Sequence, residues 1–394
     1  MSVFNSLGSN YTPRFALGAL FKIGKNSDAI KLCNLLEEQY DGSAMLTYKG
    51  RQALKEAVAS LGLQPGAEVG INGFTCYVVW QAVVDAGCKP IFIDVAPRSL
   101  HFGVKELETI QKTHPTLKAL IVQNTLGIAC DMPAIEAFCR TRKMALIEDL
   151  AHSMGAQYAD GREAGTVGNR VMLSFSQDKP LDAVAGGALI LRGDTVKAES
   201  RQRPLAGRQQ RFINRLYPLA SSTIRLWYDI RVGAALHAGL KSLHLMATPM
   251  SGDSERTLRM SSDTAGLITS QWPLRERTLE HRKAITAIYR EVIDSNVQIS
   301  MQNNEVCLRF PLLVDEPRKL IAYLRSAHIY IGDTWYDAPI GPKKFMSKTN
   351  YETGMCPNAE YAAAHIVNLP THINVSEKQA KQIAERVNTW LKSQ

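Results

Sequence analysis

From about residue 50 to residue 192 the hydrophobic pattern switches repeatedly between two periods. A helical pattern opens at Gly50 (GRQALKEAVASLGL) and closes near the Pro65-Gly66 turn. Short unbroken apolar runs follow at Glu68–Ile71, Pro90–Val95, Leu117–Val122, Met144–Ile147, Val171–Phe175 and Ala188–Leu191, with helical stretches such as Tyr77–Gly87 and Met132–Arg142 between several of them. Strands buried on both faces read as continuous apolar runs, and intervening helices supply the crossovers that parallel strands need. The pattern therefore predicts an α/β domain around a mainly parallel sheet. Residues 262–293 then carry a long helical pattern. Strand-like Glu305–Leu313, a helix at Arg318–Ala327, a Gly/Pro-rich stretch near 338–343 and a helix from Ser376 complete the chain. These predict a smaller α+β domain over 256–394, behind a large domain over 1–255.

Composition narrows the class. Of 394 residues, 45% are hydrophobic and 21% charged, which excludes a disordered tail, a collagen-like repeat and a disulfide-stapled mini-protein. The net charge of +9 is unevenly placed. Residues 1–200 are neutral overall, whereas 201–250 hold eight basic side chains against Asp229 alone. Because the surplus belongs to one segment, bulk charge gives no reason to expect a nucleic-acid partner. The seven cysteines are odd in number and scattered without a CxxC pair, so neither a disulfide framework nor a metal site is expected. The start, MSVFNSLGSN, lacks the basic and apolar regions of a signal peptide. No apolar run approaches the roughly 18 residues that span a bilayer. The expectation is a cytoplasmic protein.

Ligands of open α/β sheets gather at the carboxyl ends of the strands. Asp149 and His152 follow the run at Met144–Ile147, Ser174 lies at the end of the next, and Lys179 comes shortly after. Gly50 and Arg51 stand at a helix N-terminus, where free backbone N–H groups can receive an anion. A lysine, a carboxylate and a phosphate cradle are what pyridoxal phosphate (PLP) requires. The amine bonds the aldehyde, the carboxylate keeps the ring nitrogen protonated, and the cradle holds the phosphate. Each residue alone has a plainer reading: a turn or cap aspartate, a solvated lysine, a strand serine, a core histidine. A nicotinamide enzyme is disfavoured, since no GxGxxG follows the early strands.

The stretches IEDLAHSMGA (147–156) and LSFSQDKPLDAVAGGALI (173–190) resemble the DegT/DnrJ/EryC1/StrS sugar aminotransferases, which are fold-type I PLP enzymes. YKGRQALKEAVASLGL, KPIFIDV, LRMSSDTAGLITSQWPLRERTLEHRKAI and AAHIVNLPTHINVSEKQAKQI extend the resemblance in order over nearly the whole chain. The resemblance implies that Lys179 is the covalent anchor of PLP and the proton shuttle. It implies that Asp149 pairs with the ring nitrogen, that His152 lies near the phenolic oxygen, and that Ser174, Gly50 and Arg51 bind the phosphate. Cys76 or Tyr77 would cover the ring. The reaction implied moves an amino group from an amino acid, glutamate, to a nucleotide-linked keto-sugar for a polysaccharide or glycan, with the site at a homodimer interface. Two alternatives stand beside it. A sugar dehydratase of the family replaces the lysine with histidine, against Lys179 here; a non-catalytic PLP-binding sensor or scaffold requires a broken site or an added module.

Three departures from the family pattern bear on the site. Thr257, two residues before Arg259, stands where an asparagine often reaches the neighbouring subunit's phosphate, and Gly341 stands where a histidine is frequent. The stretch between Gly187 and Arg259 is longer than expected and contains the basic segment. There Phe212, Leu216, Leu219, Ala220, Trp227 and Ile230 recur at mostly helical spacing between arginines, with Pro218 expected to interrupt any single helix. Two readings stay open for 201–250: a helical hairpin packed on the body, or a basic amphipathic element lying on an anionic membrane surface, which would make the protein peripheral to a membrane.

Overall fold

The apolar runs become neighbours in one seven-stranded sheet. A computed structural model describes residues 2–195, 202–248, 256–301, 305–332 and 336–394. The strands are β1 (Ser43–Thr47), β2 (Glu68–Asn72), β3 (Lys89–Ile93), β4 (Ala119–Gln123), β5 (Ala145–Asp149), β6 (Arg170–Ser174) and β7 (Gly187–Leu191), in the spatial order β1-β7-β6-β5-β4-β2-β3. Only β7 runs against the others. Every residue of β4, β6 and β7 is buried, which is why these segments show no alternation. One face carries Ala53, Leu54, Val79, Ile71 and Ile121 in a core that continues into the C-terminal part of the chain through Ile285, Tyr289, Phe310 and Val387. The other face carries Leu120, Val122, Ile135 and Phe138, covered by Leu32 and Leu36 of the Asn26–Tyr40 helix and by Ala265 and Trp272.

The smaller unit pairs β8 (Arg309–Leu313) antiparallel to β9 (Ile366–Pro370). The helices Arg275–Val292, Pro317–Ser326 and Glu377–Leu391 accompany it. Val3–Phe4 pairs with Ile329–Tyr330, so the beginning of the chain is stitched to this unit. The long helical pattern at 262–293 is divided: Ser262–Gln271 ends at a tight turn through Trp272 and Pro273, and a second helix starts at Arg275. The expected strand at Glu305–Leu313 is regular only from Arg309.

The basic segment folds as a hairpin of helices, Arg208–Leu226 and Val232–Ser242. Pro218 does not interrupt the first helix, contrary to expectation. A proline removes one helical hydrogen bond and crowds the preceding turn, at a cost of about 3 kcal/mol. Burial of Ile213, Tyr217 and Ile224 against Tyr11, Val184, Met246 and Ala247 offsets that cost. Arg203 pairs with Glu56 at 2.9 Å and Arg215 with Asp263 at 2.9 Å, while Arg225 donates to the carbonyls of Gly8 and Tyr11. Most of the first helix is thus packed on the body. No helix among the described residues is long and apolar enough to cross a membrane.

Candidate active site

The carboxyl ends of β5 and β6 lie side by side, and the loop from β6 to β7 carries Lys179 over them. A cavity of about 360 Å³ opens there, lined by Lys49, Gly50, Arg51, Cys76, Asp149, His152, Ser174 and Lys179 among others. Residues read from widely separated parts of the sequence therefore share one cavity. Tyr77 does not line it: its ring stacks on Trp80 and Phe345, with centroids 5.6 and 5.1 Å away. Of the two residues expected to cover a cofactor ring, only Cys76 faces the cavity, beside Val78 and Val79. Thr257 and Arg259 also lie outside this chain's own cavity. The Thr257 hydroxyl donates to Glu56, and Arg259 bridges Thr47 and Leu205 through its backbone.

The cradle is built by close approach. A Cβ on Gly50 would lie 2.8 Å from Ser174 Cβ and 2.9 Å from its Oγ, so only glycine lets this helix N-terminus reach the end of β6. A Cβ on Gly187, the first residue of β7, would meet Gly50 N and Lys49 C at 2.6 Å, and Gly186 before it has a φ of 119°, so both positions call for glycine. The start of this helix, with Gly50 and Arg51, and Ser174 thus line one cavity together.

Burial sets the electrostatics. It pushes the Lys179 ammonium below the ordinary lysine range, to about 8, so that it gives up its proton more readily, and pushes the Asp149 carboxyl up. Burial, with Arg51 beside it, lowers Lys49 to about 7. His152 is held well below the usual histidine range by burial, then by Lys179 and Arg309. Its Nδ1 accepts the Leu126 backbone N–H at 3.1 Å, so the neutral ring carries its proton on Nε2. The Tyr336 hydroxyl lies 3.3 Å from the same Nδ1.

Gly341 is brought to the cavity by a short parallel pairing of Ile340–Gly341 with Thr75–Cys76. A Cβ there would stand 3.0 Å from Tyr336 N, so the space a side chain would take belongs to Tyr336. Sequence reasoning missed Tyr336, and it also missed Lys49, Gln123, Lys241 and Lys344 on the cavity wall. It missed a second set behind Lys179. Asp182 accepts from Tyr11 OH at 2.5 Å, Asp178 N at 2.7 Å and Val184 N at 2.9 Å. Asn10 donates to the Lys179 carbonyl at 3.0 Å, and Arg282 donates to Asn10 at 2.8 Å. Lysines in sequence carry no mark of which cavity they face, and Tyr11, the side-chain partner of Asp182, lies far off in the chain.

The cavity suits PLP on this structure's own terms. An amine and a carboxylate line it together, and the glycine-tight corner offers backbone N–H groups and a hydroxyl to a phosphate. The DegT/DnrJ/EryC1/StrS aminotransferase family pattern matches residues 30–388. The chain belongs to this family. The family is PLP-dependent. Among its curated relatives, a UDP-2-acetamido-2-deoxy-3-oxo-D-glucuronate aminotransferase of Pseudomonas aeruginosa is 24% identical, over 82% of this chain and 79% of the relative. A GDP-perosamine synthase of Escherichia coli O157:H7 is 24% identical over 90% and 87%. A pleiotropic regulatory protein of Geobacillus stearothermophilus is 24% identical over 86% and 82%. Among solved structures, a DegT DnrJ EryC1 StrS aminotransferase from Brucella abortus superposes with a TM-score of 0.70 at 20% identity, covering 96% of this chain and 95% of that one. These matches establish the fold-type I architecture of this DegT-family chain.

Proposed function

We propose that this DegT-family enzyme transfers an amino group from an amino acid, glutamate, to a keto-sugar carried on a nucleotide, using PLP bonded to Lys179, and that two chains pair to complete each site. The observation that carries the reading is the joint placement of Lys179, Asp149 and the Gly50–Ser174 corner on one cavity. The named relatives that act on UDP- and GDP-linked sugars support the substrate class. So does the cavity wall, where Lys49, Arg51, Lys241 and Lys344 face Asp149 as the one carboxylate among the described lining residues.

When bound, PLP supplies an electrophilic carbon and a ring that withdraws electrons from the carbon losing a proton. The chain supplies the rest. The buried Lys179 amine, which burial makes easier to deprotonate than an ordinary lysine, would take the proton from the donor's α-carbon and return one to the sugar carbon that receives nitrogen. Asp149, at the end of β5, would hold a proton on the ring nitrogen. Gly50, Arg51 and Ser174 would hold the phosphate, Cys76 would lie against the ring, and the neutral His152 would offer Nε2–H to the phenolic oxygen. Thr257 and Arg259, outside their own cavity, are assigned to the partner subunit's site.

Borohydride reduction of the PLP-loaded protein followed by peptide mapping tests the anchor. The label is expected on the peptide containing Lys179 and should be lost in Lys179→Ala; label elsewhere, or none, overturns the assignment. If the loaded protein converts no amino acid to its keto acid, a non-catalytic reading takes its place, in keeping with the name of the Geobacillus relative.

A further inference from the structure

The hairpin of the basic segment buries one side and leaves its far end bare. Leu226, Trp227, Ile230, Val232, Leu236 and Leu243 are 75, 47, 61, 54, 38 and 67% exposed. In the second helix, VGAALHAGLKS, Gly233 is the one buried residue. A helix this apolar and this exposed marks a contact surface rather than a packed element. Its polar company is cationic: Arg231 at the turn and Lys241 near the helix end are both exposed. The one carboxylate of the segment, Asp229, is already taken by Ser2, His328 and Tyr330.

We infer that this tip seats on an anionic lipid surface, with its apolar side chains among the acyl chains and Arg231 at the headgroups. A second copy fits less well. A tip-on-tip contact across a two-fold axis brings the cationic tips of two copies together with no free carboxylate on either tip to meet Arg231. Anionic headgroups neutralise Arg231, while Lys241, at the other end of the helix, borders the cavity. At 1.5 Å per residue the 11-residue helix is about 16 Å long, roughly half of a 30 Å hydrocarbon layer, so it lies in the interface instead of crossing. Lys241 and Thr248 also line the active-site cavity, so the seated hairpin stands directly against the catalytic site.

Vesicle flotation of the full chain tests this independently of any transaminase activity. Vesicles of phosphatidylcholine alone are compared with vesicles containing phosphatidylglycerol, at low and high salt. The wild type is expected to float with the anionic vesicles about tenfold more than with the neutral ones, and less at high salt. The triple variant Leu226→Ser/Ile230→Ser/Leu236→Ser and the single variant Arg231→Glu should each lose most of this binding with an unchanged Tm. Should the triple variant misfold, Leu226→Ser alone decides. No binding by the wild type, or binding that every variant retains, overturns the proposal. A change in sedimentation mass of a folded serine variant overturns it too, because the tip is then covered by a second copy.

Discussion

Lys179 is held from behind as firmly as it is placed in front. Its loop passes through left-handed backbone at Asp178 and Val184, with φ of 61° and 68°, a conformation disfavoured for a β-branched valine. Asp182 compensates by taking three donors, two of them the N–H groups of those strained residues. Burial and then the neighbouring Asp178 push its carboxyl up to about 7, against the hydrogen bonds from Tyr11, Val184 and Asp178 that favour the ion. A carboxyl that holds its proton longer in the folded state makes stability fall as pH rises from the ordinary carboxylate value of 3.8 towards 7. Asp182→Asn should therefore flatten the decline in Tm between pH 5 and pH 7. It should also cost about 1–3 kcal/mol, because the amide presents a donor to a donor-lined pocket. An unchanged pH profile would show that Asp182 does not titrate in this window. The strand-end residues Asp149, Ser174 and Lys179 were legible because an apolar run announces its own carboxyl end. Asp182 was not, since Tyr11 lies 171 positions away and nothing in the sequence joins them.

Among the elements, those with complete burial were the easiest to read. β4, β6 and β7 are unbroken apolar runs, whereas edge strand β1, SAMLT, is partly exposed and the Asn26–Tyr40 helix buries just Leu32, Leu36 and Tyr40. Such sparse stripes give weak periodicity. Pro218 misled for a related reason: tertiary packing overrode a local penalty that sequence expresses plainly. The Gly50–Ala59 helix was legible as a helix, but not the closeness of its N-terminus to β6, which depends on two glycines meeting in space. Gly50→Ala tests what that closeness does. The new methyl must push the helix from Ser174, an overpacking worth about 1–3 kcal/mol. If the cradle holds the phosphate, PLP affinity measured by absorbance titration should weaken about tenfold, more than the small loss in apo-protein Tm would imply. Unchanged affinity would move the phosphate site elsewhere.

At the scale of the whole molecule, the charge of +9 separates into parts with different work. Arg203, Arg215 and Arg225 are bound to acidic side chains or backbone carbonyls of the body. Lys241, from the same hairpin, instead reaches the cavity that Lys344 borders from the C-terminal unit. Two lysines from opposite parts of the chain on one cavity wall suit a second anion. On the proposed reading, a nucleotide-linked sugar would bring its diphosphate to that place. A hydrogen bond to a charged group contributes about 1.5–3 kcal/mol, so Lys241→Ala and Lys344→Ala should each raise KM for the nucleotide-linked sugar by roughly tenfold or more. The sugar turnover number should change far less, because neither ammonium is placed on the carbon that gains nitrogen. Added salt should raise the wild-type KM more steeply than that of the double variant, which has less charge left to screen. If both variants keep the wild-type KM and its salt dependence, the acceptor sugar carries no phosphate at this position and the nucleotide-linked substrate class falls, while the Lys179 chemistry stands.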